Sequence, residues 1–459
     1  MLIWKIRRHF RCPAMVHLLA LGLLMCCEMP WAGAAGLMQF YGMALERDPA
    51  FLAAGKERAA GSEERAKGRA GLLPSIAFQY RNGRNRSEVT QPTFFGDQTT
   101  DRSYRSNSSS LTLQQAIFDY EAISSYYYGV AQARHADELY RSRSQELAVR
   151  VAQAYMDALY ARDQIDLVSA QKRTYEAQKA QNGRWLAAGE GNRTDVLETQ
   201  ARYDLALAQE IEARDNLDAA LNVLAAMVGE PVRLEDLDVL GARFPVQQLE
   251  PASFEDWRGL ALANNPELAA LHYSVEAADQ AVGKARAGHL PKITAYASAG
   301  RDKSSSESTY GQKYVTNSFG FQVSIPIFAG GGVSATVRQA VDNKERLRYE
   351  NDAKTRKVLN ELRTQFNLYN SSVAKLKAYQ MAVDSARELT VAVRRSVAGG
   401  ERVNADVLDA EQRYVDSLRN LAQARYAYLM AWIKIKQLAG TLDAEDISQV
   451  ADYFGNFGP

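Results

Sequence analysis

The chain has 459 residues, of which 46% are hydrophobic and 24% charged, and its formal net charge is +1. That length exceeds one average domain, and so balanced a charge offers no basic surface for a nucleic-acid partner. Three cysteines and five histidines leave little material for a disulfide framework or a metal centre.

Residues 1–34 read as a secretory signal peptide. Lys5, Arg7, Arg8 and Arg11 make a positive start, Met15 to Cys27 a short apolar run, and Ala32-Gly33-Ala34 a small-residue cleavage site. An uncleaved anchor and a lipidated Cys26 or Cys27 are the alternatives, although Met25 or Cys26 occupies the place where a small residue is expected before a lipidated cysteine. All the cysteines lie in this leader, so the mature chain enters an oxidising space with no thiol. Cleavage takes 55 basic residues to 51 and 54 acidic ones to 53, a net charge of about −2. No later segment reaches 18 consecutive apolar residues, so no helix is expected to span a bilayer and any crossing must use strands in a closed barrel.

The rest of the chain repeats itself. Asp48-Pro49 returns as Asn265-Pro266, and Ala70-Gly71-Leu72-Leu73-Pro74 as Ala287-Gly288-His289-Leu290-Pro291, each 217 positions on. Gly189, Asp195-Val196-Leu197, Tyr203 and Gly229 return 211 positions on as Gly400, Asp406-Val407-Leu408, Tyr414 and Gly440. A duplication of this length is one structural unit used twice. The first unit is expected over 35–230, a linker over 231–255, the second unit over 256–440 and a tail over 441–459.

In the first unit a helix ends at Pro74. Ile76, Phe78 and Tyr80 then alternate with polar neighbours, a polar loop is expected from about Asn82 to Asn107, and Leu111 and Leu113 alternate again. From Glu121 to Leu186 there is no proline. Leu147, Val151, Ala154, Ala158, Ala161, Ile165 and Val168 step by three and four, the seam of a coiled coil. A turn bearing Gly189 and Gly191 leads into a helix capped at Thr194, with Asp195 in its first turn, that runs to Gly229.

The second unit reads alike. Trp257 to Gly288 is helical in composition and Pro291 ends it; Ile293 to Ala299 and Phe319 to Ile325 alternate around a polar Lys303–Gln312 stretch, and Pro326 and Gly330 break the strand before a helix from Val333 to Ala398. Leu359, Leu362, Phe366, Tyr369, Val373 and Leu376 form its seam. Gly399 and Gly400 turn the chain into a return helix capped at Asn404. Each long helix is about 66 residues, roughly 100 Å at 1.5 Å per residue, longer than compact bundles use. Each strand reads as about 10 residues, the length a tilted barrel strand needs, though a soluble hairpin with one buried face reads the same way. Four strands cannot close a barrel; about eight is the minimum, so a membrane barrel requires several chains.

The duplicated Asn/Asp-Pro helix starts, the paired Ala-Gly-x-Leu-Pro strand entries, the Ile325-Pro326-Ile327-Phe328 exit and the paired Asp-Val-Leu helices resemble the TolC family of outer-membrane exit ducts over Gly36 to Gly440. The resemblance implies an α+β membrane protein: a homotrimer in which four strands per chain make a twelve-stranded β-barrel continuing into a long α-helical coiled-coil tunnel across the periplasm. Segments near Glu230–Glu255 and after Thr441 would form an equatorial girdle. The run Gly191 to Tyr203 resembles the type I secretion branch, which exports whole proteins with a periplasmic adaptor (membrane fusion protein) and an inner-membrane ABC transporter. A duct for a small-molecule (drug or metal) efflux pump is the alternative, and a periplasmic coiled-coil scaffold a distant one.

The resemblance also carries a periplasmic gate to Asp406, Asp409, Arg402, Thr194 and Asp195. Asp406 and Asp409 share a helix face, and in a trimer would stack as rings of carboxylates that repel one another and attract cations. Arg402 would tie the closed tip to Thr194 and Asp195 of a neighbour. The family's gate tyrosine falls at Val397, which has no side-chain hydrogen bond to give; Arg394 and Arg395 lie nearby. Gly189, Gly191, Gly399 and Gly400 read as the tip turns and as adaptor contacts, and Pro74, Pro291, Pro326 and Gly330 as swivels between tilted strand and helix. No nucleophile, base and metal grouping is evident, so no enzyme activity and no cofactor are expected. Gly330-Gly331-Gly332 lacks phosphate-loop spacing, and Tyr126-Tyr127-Tyr128 reads as packing at the barrel–tunnel junction.

Overall fold

The computed structural model describes residues 36–241, 244–304 and 312–455. The signal peptide expected over 1–34, most of the polar Lys303–Gln312 stretch and the last residues of the tail lie outside them.

Each repeat opens with two helices joined at a proline. α1 (Leu37–Arg47) ends at Asp48, whose carboxylate accepts from the Phe51 amide (2.7 Å) and so caps α2 (Pro49–Ala70). The corresponding pair is α5 (Phe254–Asn264) and α6 (Pro266–Arg286), where Asn265 caps through the Glu267 and Leu268 amides (both 3.0 Å). The single helix expected from Trp257 to Gly288 is therefore two. Proline suits the first helical position, but it drives the preceding residue extended, as at Asn265 (φ −62°, ψ 118°).

Four strands follow in sequence as one antiparallel meander: β1 (Ser75–Thr93), β2 (Gly96–Phe118), β3 (Lys292–Ser304) and β4 (Gln312–Ser324). The pairing of β2 with β3 joins the two repeats. Ile76 lies opposite Leu113 and Phe78 opposite Leu111; Ala297 and Ala295 continue that face to Phe319 and Phe321. One apolar face thus runs unbroken across the sheet, and it is open: Phe78 is 69% and Phe319 90% exposed.

The loop expected over Asn82–Asn107 is instead strand. β1 and β2 stay in register out to Thr93 and Gly96, giving strands of 19 and 23 residues. Ladder hydrogen bonds do not require apolar side chains, and cross-strand polar pairs hold the extension: Asn85 donates to Ser106 (2.9 Å), Arg86 pairs with Asp101 (2.9 Å) and Thr90 meets Thr99 (3.0 Å).

β2 enters α3 (Tyr120–Ala187, 68 residues) through Asp119, which caps the Glu121 and Ala122 amides. β4 reaches α7 (Gly332–Ala398, 67 residues) through Pro326 and the left-handed Gly330 and Gly331. α4 (Arg193–Val228) and α8 (Asn404–Ala439), each 36 residues, return along them and end at left-handed Gly229 and Gly440. The expected seams lie inward at Leu147, Val151, Ala158, Leu362, Phe366 and Tyr369, whereas Ile165 and Val373 stay outside the buried set. α2 crosses α3 at small residues: a Cβ on Gly129 would stand 2.2 Å from the Glu64 carbonyl, and one on Gly68 2.5 Å from that of Ser125.

The main core sits at mid-height. Segments 231–241 and 244–253 and α9 (Ala444–Ala451) pack there, joined by a bridge between Leu240 and Phe454. Tyr155 meets Phe40 at a tilt and Phe454 edge to face in it, and the hydroxyls of Tyr369 and Tyr428 meet at 2.8 Å. No helix among the described residues is long and apolar enough to cross a membrane.

Candidate functional site at the helical tip

The two hairpins, α3/α4 and α7/α8, turn at the end of the molecule remote from the sheet. Both turns close the same way. The Glu190 amide donates to the Trp185 carbonyl (2.9 Å) and that of Gly189 to Leu186 (3.1 Å); the Glu401 amide donates to Ser396 (2.9 Å) and that of Gly400 to Val397 (3.0 Å). This double closure needs a left-handed residue just past the helix, and Gly189 (φ +79°) and Gly400 (φ +78°) supply it. Gly191 is required by space, since a Cβ there would meet the Leu186 amide at 2.6 Å. Gly399 is helical with ordinary contacts, so the turn does not depend on it.

The expected caps shift by one or two residues. Asn192, not Thr194, caps α4 by accepting the Thr194 amide (3.0 Å), and α8 begins after Val403, leaving Asn404 inside it. Asp195 and Asp406 both lie in first turns, where the exposed amides favour negative charge. Asp406 is half-buried; Asp409 and Thr194 are exposed. Asp409 accepts from Arg202 of α4 (2.9 Å), a tie between the two hairpins of one chain. Arg402 is exposed and forms no ion pair among the described residues. The structure therefore brings Asp409 to the other hairpin, while Arg402, Thr194 and Asp195 do not meet within the chain.

A second set of tip residues, of which the sequence offered only Arg394, Val397 and Asn404, holds the hairpins together. Glu411 of α8 has a side chain only 7% exposed, and its Oε1 accepts from Arg394 of α7 (2.6 Å) and Gln178 of α3 (2.9 Å). Its Oε2 is buried without a partner among the described residues. Burial pushes the Glu411 carboxyl above the usual carboxylate range, while Arg394 and Gln178 pull against it. Asn182 donates to Thr199 (3.0 Å), which also receives Asn404 (3.3 Å). Val393, Val407 and Ala410 pack as a small apolar cluster with Val397 against it. Val397 thus serves the tip by packing, and Arg394 supplies the polar tie. Helical spacing puts Glu411 on the stripe of Val407, Leu408 and Val415; a charge on an apolar stripe was the signal available in the sequence.

Farther from the tip, Glu210 of α4 accepts from Lys172 and Ser169 of α3 and from Arg214. The Lys172 hydrogen bond outweighs burial and, with Arg214 and Ser169, holds its carboxyl down to about 2.

At the sheet end, Pro74 and Pro291 precede β1 and β3, and Pro326 follows β4. Lys292 bonds Glu121 (2.6 Å), tying the start of β3 to α3. Tyr126 and Tyr127 meet edge to face, with Tyr127 54% exposed, and Tyr128 accepts from Gln132 (3.0 Å). Among the described residues no group of three or more His, Cys, Asp or Glu could hold a metal ion.

A four-stranded open sheet built from a duplicated strand pair and feeding helical hairpins of this length is matched by known proteins. The chain is 51% identical over 423 residues (92% of it, 88% of the relative) to the alkaline protease secretion protein AprF of Pseudomonas aeruginosa. It is 43% identical over 424 residues (92% of each) to the proteases secretion protein PrtF of Dickeya chrysanthemi. The open-state MtrE outer membrane channel of Neisseria gonorrhoeae superposes with a TM-score of 0.74 at 19% identity, covering 90% of this chain and 92% of that one. The family described as outer membrane efflux protein matches residues 40–230 and 257–441, and the chain belongs to it.

Proposed function

We propose that the protein is the outer-membrane exit duct of a type I protein secretion system. Its strands lie in the outer membrane and its helices extend into the periplasm. The observation that carries this reading is the sheet. It has one continuous apolar face, still exposed, and its outer strands β1 and β4 are unpaired on one side among the described residues. Such a sheet is incomplete alone, because in lipid every ladder must be closed. Three copies, with four strands each, complete a barrel of twelve.

Likeness to two protease secretion proteins supports a protein cargo. The cargo in this reading is an exported protease or a similar whole protein, delivered by an ABC transporter through a periplasmic adaptor that meets the tip turns. Gly189, Gly191, Gly399 and Gly400 belong to that contact. Asp406 and Asp409 narrow the entrance, with Arg402, Thr194 and Asp195 facing a neighbouring chain. The units over 35–230 and 256–440 form barrel and tunnel, and the segments over 231–255 and 441–459 form the girdle. A duct acts by position and charge, so the reading assigns no catalytic residue and no cofactor.

Deleting the gene and comparing secreted proteins tests this. Loss of an extracellular protease, restored by the intact gene, is the expected result. Unchanged secretion with new sensitivity to small toxic compounds would instead establish the efflux role.

A further inference from the structure

We propose that the outward face of the sheet carries a basic band that binds the phosphates of an anionic glycolipid headgroup in the outer leaflet. The proposal rests on the outer-membrane reading above. Following the apolar face away from the helices, the register passes from Ile76, Phe78, Leu113 and Leu111 to a row in which Tyr80 lies opposite Ser109 and Ser109 opposite Arg301. In the next row Lys303 stands directly opposite Lys313, and in the next Arg84 directly opposite Arg105. All five cations fall on the same face as the apolar band.

That face points outward. Along β1, Arg84 and Arg86 are exposed while Gly83, Asn85 and Ser87, which alternate with them, are half-buried; along β2, Arg105 is exposed between half-buried Tyr104 and Ser106. The curved sheet therefore presents its cations on the side that meets lipid.

Like charges directly opposite one another destabilise a strand pair. Here two such pairs follow in adjacent rows, and none of their four members forms an ion pair among the described residues. Beyond them a third like-charge pair, Glu88 opposite Asp101, is answered within the chain, because Arg86 on the same face bonds Asp101 (2.9 Å). The like-charge pairs with no counter-ion among the described residues are confined to the stretch bordering the apolar band. Its span, four residues from Tyr80 to Arg84, is about 14 Å along the strand and about 10 Å at a 45° tilt, comparable to a headgroup layer. Two adjacent like-charge pairs left without a counter-ion point to an external partner. The complementary partner is an anion fixed at that height: the phosphate of a lipid whose chains lie against Phe78 and Phe319.

The test uses the purified full-length mature protein in detergent, with native mass spectrometry as readout. Probes are a bisphosphorylated lipid A and the same glycolipid with both phosphates removed. The intact protein is expected to retain the phosphorylated form at least about tenfold better, since each cation near an anionic surface contributes roughly a factor of five. Arg84→Gln/Arg105→Gln/Lys303→Gln/Lys313→Gln should abolish that preference with trimers intact, and the double variant Arg84→Gln/Arg105→Gln should reduce it if the quadruple one does not assemble. Arg81→Gln, on the other face of β1, should leave it unchanged. Equal retention of both glycolipids overturns the proposal, as does an unaltered preference in the variants, an equal loss in Arg81→Gln, or full displacement by millimolar inorganic phosphate. An intact protein that fails to assemble in detergent would instead count against the barrel itself.

Discussion

At the scale of single residues, two buried carboxylates respond to pH in opposite senses along the same hairpins. Glu411 has its carboxyl raised by burial. Its contribution to stability is full below its ordinary value of 4.5 and is lost as pH rises through the elevated one, where a charge must be held with Oε2 unpartnered. Amide exchange across Val407–Val415 should therefore quicken as pH rises above that window, and Glu411→Gln should flatten the response. Glu210 is held down to about 2 by Lys172. Its contribution is present above 4.5 and lost as pH falls toward 2, so Glu210→Gln should loosen the packing of α3 on α4 by about 1.5–3 kcal/mol at neutral pH, the worth of charge-assisted hydrogen bonds, and remove the acid dependence. Thermal unfolding followed across pH would show both effects. Replacing Asp406 and Asp409 with alanine should raise single-channel conductance and weaken block by divalent cations; unchanged conductance and block would remove them from the gate. Asp409 was legible from its spacing, whereas its tie to Arg202, 207 positions away, was not.

At the scale of elements, glycine matters where geometry requires it. Gly189→Val and Gly400→Val place a branched side chain in a left-handed turn, at a cost of about 1–2 kcal/mol each. Loss of export with trimers preserved is the expected outcome in a secretion assay paired with native gels. Gly399→Ala should leave the fold of the turn unchanged, because Gly399 is already helical with contacts no closer than 3.6 Å. Gly129→Leu should separate α2 from α3 and lower the yield of assembled protein, as its Cβ would overlap the Glu64 carbonyl. The duplicated proline starts, the long uninterrupted helices and the strand entries were all readable, because proline, glycine and hydrophobic period act locally. The outer half of the β1–β2 hairpin was not. Its side chains are polar on both faces, so no alternation marks it, and its order comes from the ladder and from pairs such as Asn85 with Ser106.

The whole molecule leaves an apolar sheet face and two strand edges uncovered among the described residues. An apolar sheet face this exposed is stable only against lipid, and strands open at both sides only against further strands. Mature protein extracted in detergent should have three times the mass of one chain by light scattering, and a monomer soluble without detergent would end the barrel reading. The sequence by itself determined the duplication, the α+β composition, the rod-like helices and a strand count too low to close a barrel alone, since these follow from period, length and counting strands. Only the tertiary structure decided which turns need glycine, that Glu411 and Arg394 rather than a tyrosine tie the tip, and that Arg84 faces Arg105 on the face of the apolar band. Those facts depend on register and on contacts between residues hundreds of positions apart, which no local pattern encodes.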